Sequence, residues 1–344
     1  MIFFVSGGAG FIGSALVRYL IKNTNHKVVN IDKLTYAGNL ESLEDIIDSP
    51  NYFFEQYDIC ESKKIELLFE KYKPDSFIHL AAESHVDRSI HGPDDFIQTN
   101  INGTYTLLEL SRIYWESLNK EKKKLFKFHH VSTYEVYGDL GKKEGSFSES
   151  SRYEPSSPYS ASKAASDHLV YAWGRTYGLP IVITNTSNNY GPYQYPEKMI
   201  PITILNAIQG RNIPIYGDGT QIRDWIHVDD HVSGLLYVLE NGELFQTYNI
   251  GSENTMTNLE LVREICEILN TEIANKPNNI KDFNDLMNFV EDRPGHDLKY
   301  AIDNSKIKEL GWKPQISFKI GLESTVKWYI KNPHWCHKVL AKKI

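Results

Sequence analysis

Residues 6–13 of the chain read Ser-Gly-Gly-Ala-Gly-Phe-Ile-Gly, and they join an apolar run, Ile2–Ser6, to a helix-periodic segment, Phe11–Ile21. The glycines fit both the Gly-x-Gly-x-x-Gly and the Gly-x-x-Gly-x-x-Gly spacing. In such a motif one glycine forms the tight turn, one admits a pyrophosphate close to the backbone, and one lets the helix pack on the strand. The start of the helix offers N–H groups to phosphate. The stretch therefore predicts a strand, a turn and a helix that bind a dinucleotide.

Strand and helix patterns alternate beyond this motif through the first half of the chain. Short apolar runs typical of strands occur at Lys27–Ile31, Tyr52–Tyr57, Ser76–Leu80, Phe126–Ser132 and Ile181–Thr186. Helix-periodic segments separate them at Ile65–Tyr72, Thr104–Trp115 and Ala161–Tyr177. Strands that alternate with helices form βαβ units, and continuously apolar strands are buried on both faces. We therefore predict an α/β fold of the Rossmann type, with a doubly wound parallel sheet.

The pattern changes after about Tyr190, where proline and glycine become frequent. Helix-periodic segments recur at Ile202–Ile208, His231–Leu239, Leu259–Leu269 and Ile320–Ile330. This change predicts a smaller, mixed C-terminal lobe. We assign residues 1–190 to the dinucleotide-binding domain, with a return segment near residues 225–250, and residues 191–344 mainly to a substrate-binding lobe.

Composition excludes several classes of protein. The 344 residues are 41% hydrophobic and 24% charged, which is ordinary for a globular chain and argues against extended disorder. The net charge of −7 argues against a general nucleic-acid binder. No run approaches the roughly 18 apolar residues of a membrane span, and the apolar start Met1–Val5, which lacks a basic flank, is interpreted as a strand. Three separated cysteines, Cys60, Cys266 and Cys336, form no disulfide framework, which predicts a cytoplasmic location.

An acidic residue stands where the ribose of the dinucleotide would lie. Asp32 follows the second predicted strand, 19 residues after Gly13. A carboxylate at this place binds the ribose hydroxyls and repels a 2′-phosphate. We therefore predict NAD as the cofactor in preference to NADP.

A tyrosine and a lysine lie at the start of the helix that follows the fifth predicted strand. Residues 157–163 read Ser-Pro-Tyr-Ser-Ala-Ser-Lys, so Tyr159 and Lys163 are four positions apart and share one helix face. An ammonium close to a phenol lowers the pKa of the phenol from about 10. The phenolate can then take a proton from a substrate alcohol while NAD accepts hydride from the same carbon. We predict that this pair carries a redox step.

Five further segments, together with these motifs, resemble a known family. They are residues 32–39 (Asp-Lys-Leu-Thr-Tyr-Ala-Gly-Asn), 79–89 (His-Leu-Ala-Ala-Glu-Ser-His-Val-Asp-Arg-Ser), 190–193 (Tyr-Gly-Pro-Tyr), 223–225 (Arg-Asp-Trp) and 292–297 (Asp-Arg-Pro-Gly-His-Asp). From Met1 to about Trp335 the chain is similar to the dTDP-glucose 4,6-dehydratases of the extended short-chain dehydrogenase/reductase family. The resemblance implies oxidation of the sugar at C4, loss of water across C5 and C6, and return of hydride to C6 by a tightly bound, recycled NAD. The implied product is a 4-keto-6-deoxy sugar nucleotide.

The resemblance also implies catalytic roles at the end of the fifth strand. Thr133 would position the C4 hydroxyl, and Tyr159 would be its base, with Lys163 beside it. Glu135 would take the proton from C5. The dehydratases carry Thr-Asp-Glu here, with the aspartate as the acid for the C6 hydroxyl, whereas this chain has Tyr134 at that place. Because a phenol is a far weaker acid than a carboxylic acid, we expect C4 oxidation to persist and water loss to be slower.

The binding positions implied by the resemblance fall into two groups. The cofactor group is Gly7, Gly10, Phe11, Ile12, Gly13, Asp32, Lys33, Leu34, Thr35, Asp58, Ile59, Leu80, Ala81, Ala82, Ser84, Thr99, Tyr159, Lys163 and Asn189. The group that would face the substrate, dTDP-glucose, is Ser84, Thr133, Asn188, Lys198, Met199, Pro214, Ile215, Tyr216, Arg223, Asn258, Asp292, Arg293 and His296. Its lysine and arginines would bring positive charge to the diphosphate, which arginine can bind in a bidentate manner. The resemblance implies no metal.

Two other functions stay open at this point. A nucleotide-sugar 4-epimerase would also use Tyr159 and Lys163, but such enzymes usually have small or hydroxyl residues where Tyr134 and Glu135 stand. A catalytically impaired protein that only binds NAD and a nucleotide sugar would be consistent with Tyr134.

The resemblance further implies an assembly and a pathway. It implies a homodimer in which the helices at Thr104–Trp115 and Ala161–Tyr177 pair with their copies in a four-helix contact. Family analogy places the reaction in deoxysugar synthesis, such as that of dTDP-L-rhamnose.

Overall fold

The structure, a computed structural model, describes residues 1–341. The strands are β1 (Ile2–Ser6), β2 (Lys27–Ile31), β3 (Tyr52–Glu55), β4 (Ser76–His79), β5 (Lys127–Thr133), β6 (Ile181–Thr186), β7 (Asn188–Tyr190), β8 (Ile213–Tyr216), β9 (Ile222–His227), β10 (Thr247–Ile250), β11 (Thr255–Thr257) and β12 (Met287–Val290). The α-helices are α1 (Phe11–Asn23), α2 (Ser62–Tyr72), α3 (Val86–His91), α4 (Asp94–Phe96), α5 (Thr104–Ser117), α6 (Lys120–Leu125), α7 (Pro158–Tyr177), α8 (Met199–Ile208), α9 (Val228–Asn241), α10 (Asn258–Glu272), α11 (Ser305–Leu310), α12 (Phe318–Lys331) and α13 (Pro333–Ala341). A π-helix, Ile97–Gly103, joins α4 to α5.

Seven parallel strands form the main sheet in the order β10-β6-β5-β4-β1-β2-β3. The predicted α/β fold of the Rossmann type is confirmed. The strand order reverses between β1 and β4, which pair in parallel with Val5 opposite Ile78. In such sheets ligands bind at the carboxyl ends of the strands beside the reversal. The topology therefore locates the candidate site before any side chain is considered.

Both faces of the main sheet are covered, which explains why its strands are continuously apolar. On one face Phe4 and Phe77 pack with Leu107 of α5. On the other face Val5 packs with Leu16 of α1 and with residues of α9. Burial on two sides leaves no solvent face, so the alternation of apolar and polar residues that marks a half-exposed strand is absent.

Several predicted helices begin or end beyond the predicted bounds. The main example is α7, which begins at Pro158 instead of Ala161. Ser157 and Ser160 form a reciprocal capping box, and proline is well suited to the first helical position because its missing N–H has no partner there in any case. The earlier start places Tyr159 within the first turn of the helix.

The second half of the chain adds its own core to the sheet. Helices α8, α10 and α12 pack around a cluster that includes Ile204, Leu261 and Val326. Two small sheets, β11-β9-β7 and β12-β8, also form in this half of the chain, and Ile215 of β8 and Trp225 of β9 belong to the same cluster. The chain returns to the main sheet at β10, which pairs with β6. The division into residues 1–190 and 191–344 stays a prediction.

Two features are absent from residues 1–341. No helix in this range is both long enough and apolar enough to cross a membrane. Nor does the range contain a group of three or more His, Cys, Asp or Glu residues that could hold a metal ion.

Candidate active site

A cavity of about 730 Å³ opens at the carboxyl edge of the main sheet. Its walls come from the segments that follow β1, β2, β4, β5 and β6, and from the second half of the chain around Lys198, Arg223 and Arg293. The cavity has two ends. We call the end beside the glycine turn the cofactor end and the end beside these three basic residues the nucleotide-sugar end.

The glycine turn fits a dinucleotide pyrophosphate. Gly7 follows β1 with φ of +75°, and a Cβ there would lie 2.6 Å from the backbone N of Ala81, so the two loops approach more closely than a side chain permits. Gly10 is the N-cap of α1, and no side chain accepts a hydrogen bond from the first turn of that helix. Those N–H groups and the positive end of the helix dipole therefore face the cavity as an anion site.

The side chain of Asp32 lines the cavity and also fixes the glycine turn through hydrogen bonds. One carboxylate oxygen accepts a hydrogen bond from the N–H of Ala9 at 3.0 Å, and the other accepts one from the N–H of Leu34 at 2.8 Å. Burial raises the pKa of Asp32, and these two bonds act against that rise. The neighbouring Lys33 pairs with Asp58 at 3.4 Å, so its charge is already partnered at the place where a 2′-phosphate would need it.

All but one of the residues in the predicted cofactor group line the cavity. The exception is Leu34, which adopts a left-handed backbone with φ of +59° and donates to Asp32. It therefore shapes the turn after β2 and does not form the wall.

The turn after β5 brings Thr133 and Glu135 into the cavity. The side-chain oxygen of Thr133 accepts a hydrogen bond from the N–H of Glu135 at 3.2 Å and caps the 3-10 turn Tyr134–Tyr137. Burial raises the pKa of Glu135, whereas the charges of the basic residues at the nucleotide-sugar end lower it. A carboxyl group whose pKa is raised towards neutrality is a better general base than an ordinary one.

Tyr159 lies beside this turn, and its pKa departs from the expectation. Burial and the charge of Glu135 raise the pKa of Tyr159, the opposite of the predicted lowering, and the neighbouring hydroxyl of Thr133 acts against that rise. Lys163 does not offset this rise, because its Nζ is directed to the carbonyl of Val131, to which it donates at 3.0 Å. Burial lowers the pKa of Lys163 to about 8.

Tyr134 stands outside the cavity wall. Its side chain is 1% exposed, its ring packs on Tyr300 with 5.0 Å between centroids, and its hydroxyl donates to the side-chain oxygen of Asn188 at 3.1 Å. Burial raises the pKa of this phenol well above its ordinary value. The structure thus brings Thr133, Glu135 and Tyr159 together but places Tyr134 behind them, as a support for Tyr300 and Asn188.

The nucleotide-sugar end is strongly basic. Arg223 is 5% exposed, and its guanidinium donates to the carbonyls of Ile222 and Asp297 at 2.8 and 2.9 Å. No ion pair with a carboxylate is formed by this guanidinium within residues 1–341. Arg293 pairs with Asp87 at 3.2 Å, and Lys198 donates to the carbonyl of Ser84. Because a buried charge is stable only with a partner, Arg223 is suited to bind an anion.

Asp292 is the substrate-group residue that does not line the cavity. Its carboxylate accepts hydrogen bonds from His296 Nδ1 at 2.6 Å, from the Gln221 amide at 3.0 Å and from the N–H of Arg293 at 2.8 Å. It orders two residues that do form the wall. The other members of the group line the cavity, namely Ser84, Thr133, Asn188, Lys198, Met199, Pro214, Ile215, Tyr216, Arg223, Asn258, Arg293 and His296.

The sequence did not indicate two prominent cavity residues. Glu197 accepts a hydrogen bond from Tyr36 at 3.0 Å and pairs with Arg88 at 3.5 Å, which joins the loops after β2 and β4 to the second half of the chain. Tyr300 packs between the tilted ring of Tyr134 and the guanidinium of Arg223. Glu197 adjoins the predicted Lys198 and could have been inferred from it, whereas the position of Tyr300 depends on contacts between distant segments.

Comparison with known proteins agrees with this geometry. A family model described as GDP-mannose 4,6 dehydratase matches residues 4–325. The dTDP-glucose 4,6-dehydratase of Haemophilus influenzae is 60% identical over 329 residues, which cover 95% of this chain and 97% of that protein. The chain belongs to the dTDP-glucose 4,6-dehydratase family. The predicted family is confirmed, and membership favours a dehydratase over the epimerase considered above.

Solved structures of this family resemble the whole described fold. The dTDP-glucose 4,6-dehydratase of Streptomyces venezuelae, solved with NAD bound, has a TM-score of 0.89 and 41% identity, covering 98% of this chain and 100% of that one. The enzyme of Bacillus anthracis, also in complex with NAD, has a TM-score of 0.86 and 41% identity, with coverage of 98% and 99%. The likeness extends over both ends of the cavity.

Proposed function

We propose that this protein catalyses the NAD-dependent dehydration of dTDP-glucose to dTDP-4-keto-6-deoxyglucose. The observation that carries the proposal is the convergence of Tyr159, Thr133 and Glu135 in one cavity whose far end is basic. Tyr159 can act as the base for an alcohol, and Glu135 can act as a second base beside it. This pair suits oxidation of the alcohol followed by removal of a proton from the adjacent carbon. The relatives named above support the sugar and the nucleotide.

The cofactor end would hold NAD through this chain's own groups. The N–H groups at the start of α1 would bind the pyrophosphate, and Asp32 would bind the ribose hydroxyls. When bound, NAD supplies the acceptor for the hydride that leaves C4 and the donor of the hydride that reaches C6.

The proton transfers fall to three side chains. Thr133, which lines the cavity together with Tyr159, would hold the C4 hydroxyl, and Tyr159 would accept its proton as C4 becomes a ketone. The ketone acidifies the neighbouring C5–H, and Glu135 would take that proton. The proton from C5 and the hydroxyl from C6 together make the water that leaves. C5 then regains a proton as the hydride reaches C6, and this balances the proton that Tyr159 takes from the C4 hydroxyl.

The departure of the C6 hydroxyl is the step for which Tyr134 offers no strong acid in the cavity. Tyr134 is buried behind the wall, its pKa is raised, and its proton is donated to Asn188. General-acid assistance is typically worth about 10²–10⁴-fold in rate. We propose that C4 oxidation and C5 deprotonation are retained and that water loss limits turnover.

The nucleotide-sugar end would bind the diphosphate. Arg223, Arg293 and Lys198 would contact its oxygens, since a guanidinium matches a phosphate in bidentate geometry. Asn258 and the strand residues Pro214, Ile215 and Tyr216 would line the base.

The test is product analysis of the purified protein with NAD and dTDP-glucose. The proposal expects a product lighter than the substrate by one water, with UDP-glucose and GDP-mannose turned over more slowly. An isomeric product of unchanged mass would instead indicate an epimerase. Binding of NAD and dTDP-glucose without any reaction would identify an impaired binding protein, and a Tyr134→Asp variant in the same assay would then restore water loss if the acid alone is missing.

We also propose a homodimer formed by α5 and α7. Large side chains remain exposed on these helices, with Tyr105 and Ile113 each 49% and Tyr177 44% accessible. Ile113→Glu should give a monomer in sedimentation, and Lys120→Glu, outside the face formed by α5 and α7, should not.

A cytoplasmic location, supported by three free cysteines, and a role in dTDP-L-rhamnose synthesis complete the proposal.

A further inference from the structure

Helix α7 carries a third buried ionisable side chain in line with the proposed catalytic pair. Asp167 lies four residues after Lys163 and eight after Tyr159, so the three share one helix face. All three are buried, and Asp167 is 0% exposed. The proposed mechanism gives this carboxylate no part.

The carboxylate of Asp167 joins two elements of the site. One oxygen accepts hydrogen bonds from the hydroxyl of Ser132 at 2.9 Å and from the phenol of Tyr153 at 3.0 Å. Ser132 immediately precedes Thr133 at the end of β5. Asp167 therefore ties the strand that presents Thr133 and Glu135 to the helix that presents Tyr159.

The second oxygen of Asp167 faces a buried histidine and, through it, Lys163. His130 Nε2 lies 3.1 Å from this oxygen and 3.4 Å from Lys163 Nζ. Burial lowers the pKa of His130 well below its ordinary value, so this histidine is neutral and supplies no positive charge. The ammonium of Lys163 is the largest of the charges that lower the pKa of Asp167, against the rise caused by burial.

The other titratable groups around this pair supply no competing negative charge near neutral pH. They are Tyr159, His168 and Tyr171 on α7, His79 on β4, His130 on β5, Tyr137 in the turn after β5, and Tyr153 before α7. Within the part of the chain that the structure describes, Asp167 is the carboxylate whose charge acts on Lys163. A buried ammonium without such a partner releases its proton.

We propose that Asp167 is a positioning residue of this active site: it keeps Lys163 charged and fixes β5 against α7. The proposal rests on the proposed function only for its kinetic readout. The ionisation of Lys163 can be measured whether or not the protein dehydrates dTDP-glucose, so failure of one proposal is distinguishable from failure of the other.

The test is Asp167→Asn in the NAD-loaded protein, with lysine carbon-13 labelled at Cε. The Lys163 signal is assigned by its absence from Lys163→Arg. An opposite charge within about 4–6 Å typically shifts a pKa by 1–3 units, so the midpoint of the Lys163 titration should fall by roughly 1–3 pH units. The alkaline side of the pH profile for dehydration should move down by the same amount.

Ser132→Ala is the matched control, because it removes a hydrogen bond to the same carboxylate and leaves the charge. It should leave the Lys163 titration unmoved. The proposal is overturned if the Lys163 titration is unchanged in Asp167→Asn or shifts equally in both variants. It is also overturned if Asp167→Asn lowers the dehydration rate uniformly and leaves the pH profile in place.

A second variant covers the case in which Asp167→Asn does not fold. Ser132→Ala combined with Tyr153→Phe removes both hydroxyl donors and should raise the pKa of Asp167. Asp167 would then become neutral, and cease to be a countercharge, at a higher pH. The acid side of the pH profile should then move to higher pH. An acid side that stays in place contradicts the role of Asp167.

Discussion

The two ends of the cavity are constructed in different ways. At the cofactor end the backbone of Gly7 lies close to that of Ala81, and Asp32 holds the turn. At the nucleotide-sugar end the wall is formed by charged side chains, including Arg223 and Arg293, from segments far apart in sequence. The first end depends on shape, since Gly7 has no room for a Cβ, whereas the second depends on charge and desolvation. The catalytic turn after β5 lies between them.

The largest effect is expected between the two ends, at Glu135. Glu135→Gln keeps the size of the side chain but removes the base for C5, so product formation should fall by about 10²–10⁴-fold. Affinities for NAD and dTDP, measured by calorimetry, should stay unchanged. Glu144→Gln, on an exposed loop, is the control and should keep full activity. Retained dehydration in Glu135→Gln would show that Glu135 is not the base that deprotonates C5.

Gly7→Ala should break the cofactor end alone. The new Cβ would lie 2.6 Å from the Ala81 nitrogen at a backbone φ of +75°, so the turn must move away from the pyrophosphate. We expect NAD affinity to fall tenfold or more, which corresponds to about 1.4 kcal/mol, with dTDP affinity unchanged. Gly141→Ala is the matched control, because its φ is also positive, +56°, but no atom lies within 4 Å of the new Cβ. Equal loss in both variants would point to backbone strain and not to the close approach.

Arg223→Gln should break the nucleotide-sugar end alone. A hydrogen bond to a charged group contributes about 1.5–3 kcal/mol, so dTDP should bind roughly 10- to 150-fold more weakly. NAD affinity should not change. Arg211→Gln, an exposed arginine in the same half of the chain, should bind dTDP normally. A loss of NAD affinity in Arg223→Gln would show that the two ends are not independent.

The smallest expected effect is a difference in acid stability between the two regions. Burial lowers the pKa of His129, within β5 of the main sheet, to about 3, whereas burial raises the pKa of Asp224 beside the nucleotide-sugar end. Below the ordinary histidine pKa of about 6.5, His129 is protonated in the unfolded chain but stays neutral in the folded one. The free energy of unfolding therefore falls as pH falls. Asp224 acts in the opposite direction, because its folded form holds a proton at a pH where the unfolded form has lost it.

His129→Gln should therefore make the pH dependence shallower. Between pH 7.5 and 5.5 the loss of unfolding free energy should be smaller by about 1 kcal/mol than in the parent chain, as measured by urea unfolding. His337→Gln, on the exposed face of α13, should leave the slope unchanged. An unchanged slope in His129→Gln would mean that this histidine is protonated in the folded state.

The sequence predicted best where local chemistry determines structure. The glycine turn, Asp32 and the Tyr159–Lys163 spacing each act over a few residues, and the structure brings them to one cavity as expected. The place of Tyr134 was not predictable, because its ring direction depends on Tyr300, which arrives from near the end of the chain. For the same reason the sequence placed Asp292 in the wall, although its carboxylate is engaged by neighbouring side chains behind it.

The pKa of Tyr159 shows the same limit at a finer scale. The four-residue spacing indicates that Lys163 shares its helix face, but it does not show where the ammonium points. In the structure the lysine faces Val131 and His130, and Asp167 supplies its countercharge. The chemistry of the pair thus depends on β5 as well as on α7.

In the proposed mechanism Glu135 removes the C5 proton, while no acid at Tyr134 assists the departure of the C6 hydroxyl. The most direct measurement is the partition of deuterium when the NAD-loaded protein and dTDP-glucose react in deuterated water. If water loss is slow, recovered dTDP-glucose should carry deuterium at C5 before much product forms, and Tyr134→Asp should speed product formation by about 10²–10⁴-fold and suppress the labelled substrate. Rapid product formation with unlabelled recovered substrate, and no gain in Tyr134→Asp, would contradict this mechanism.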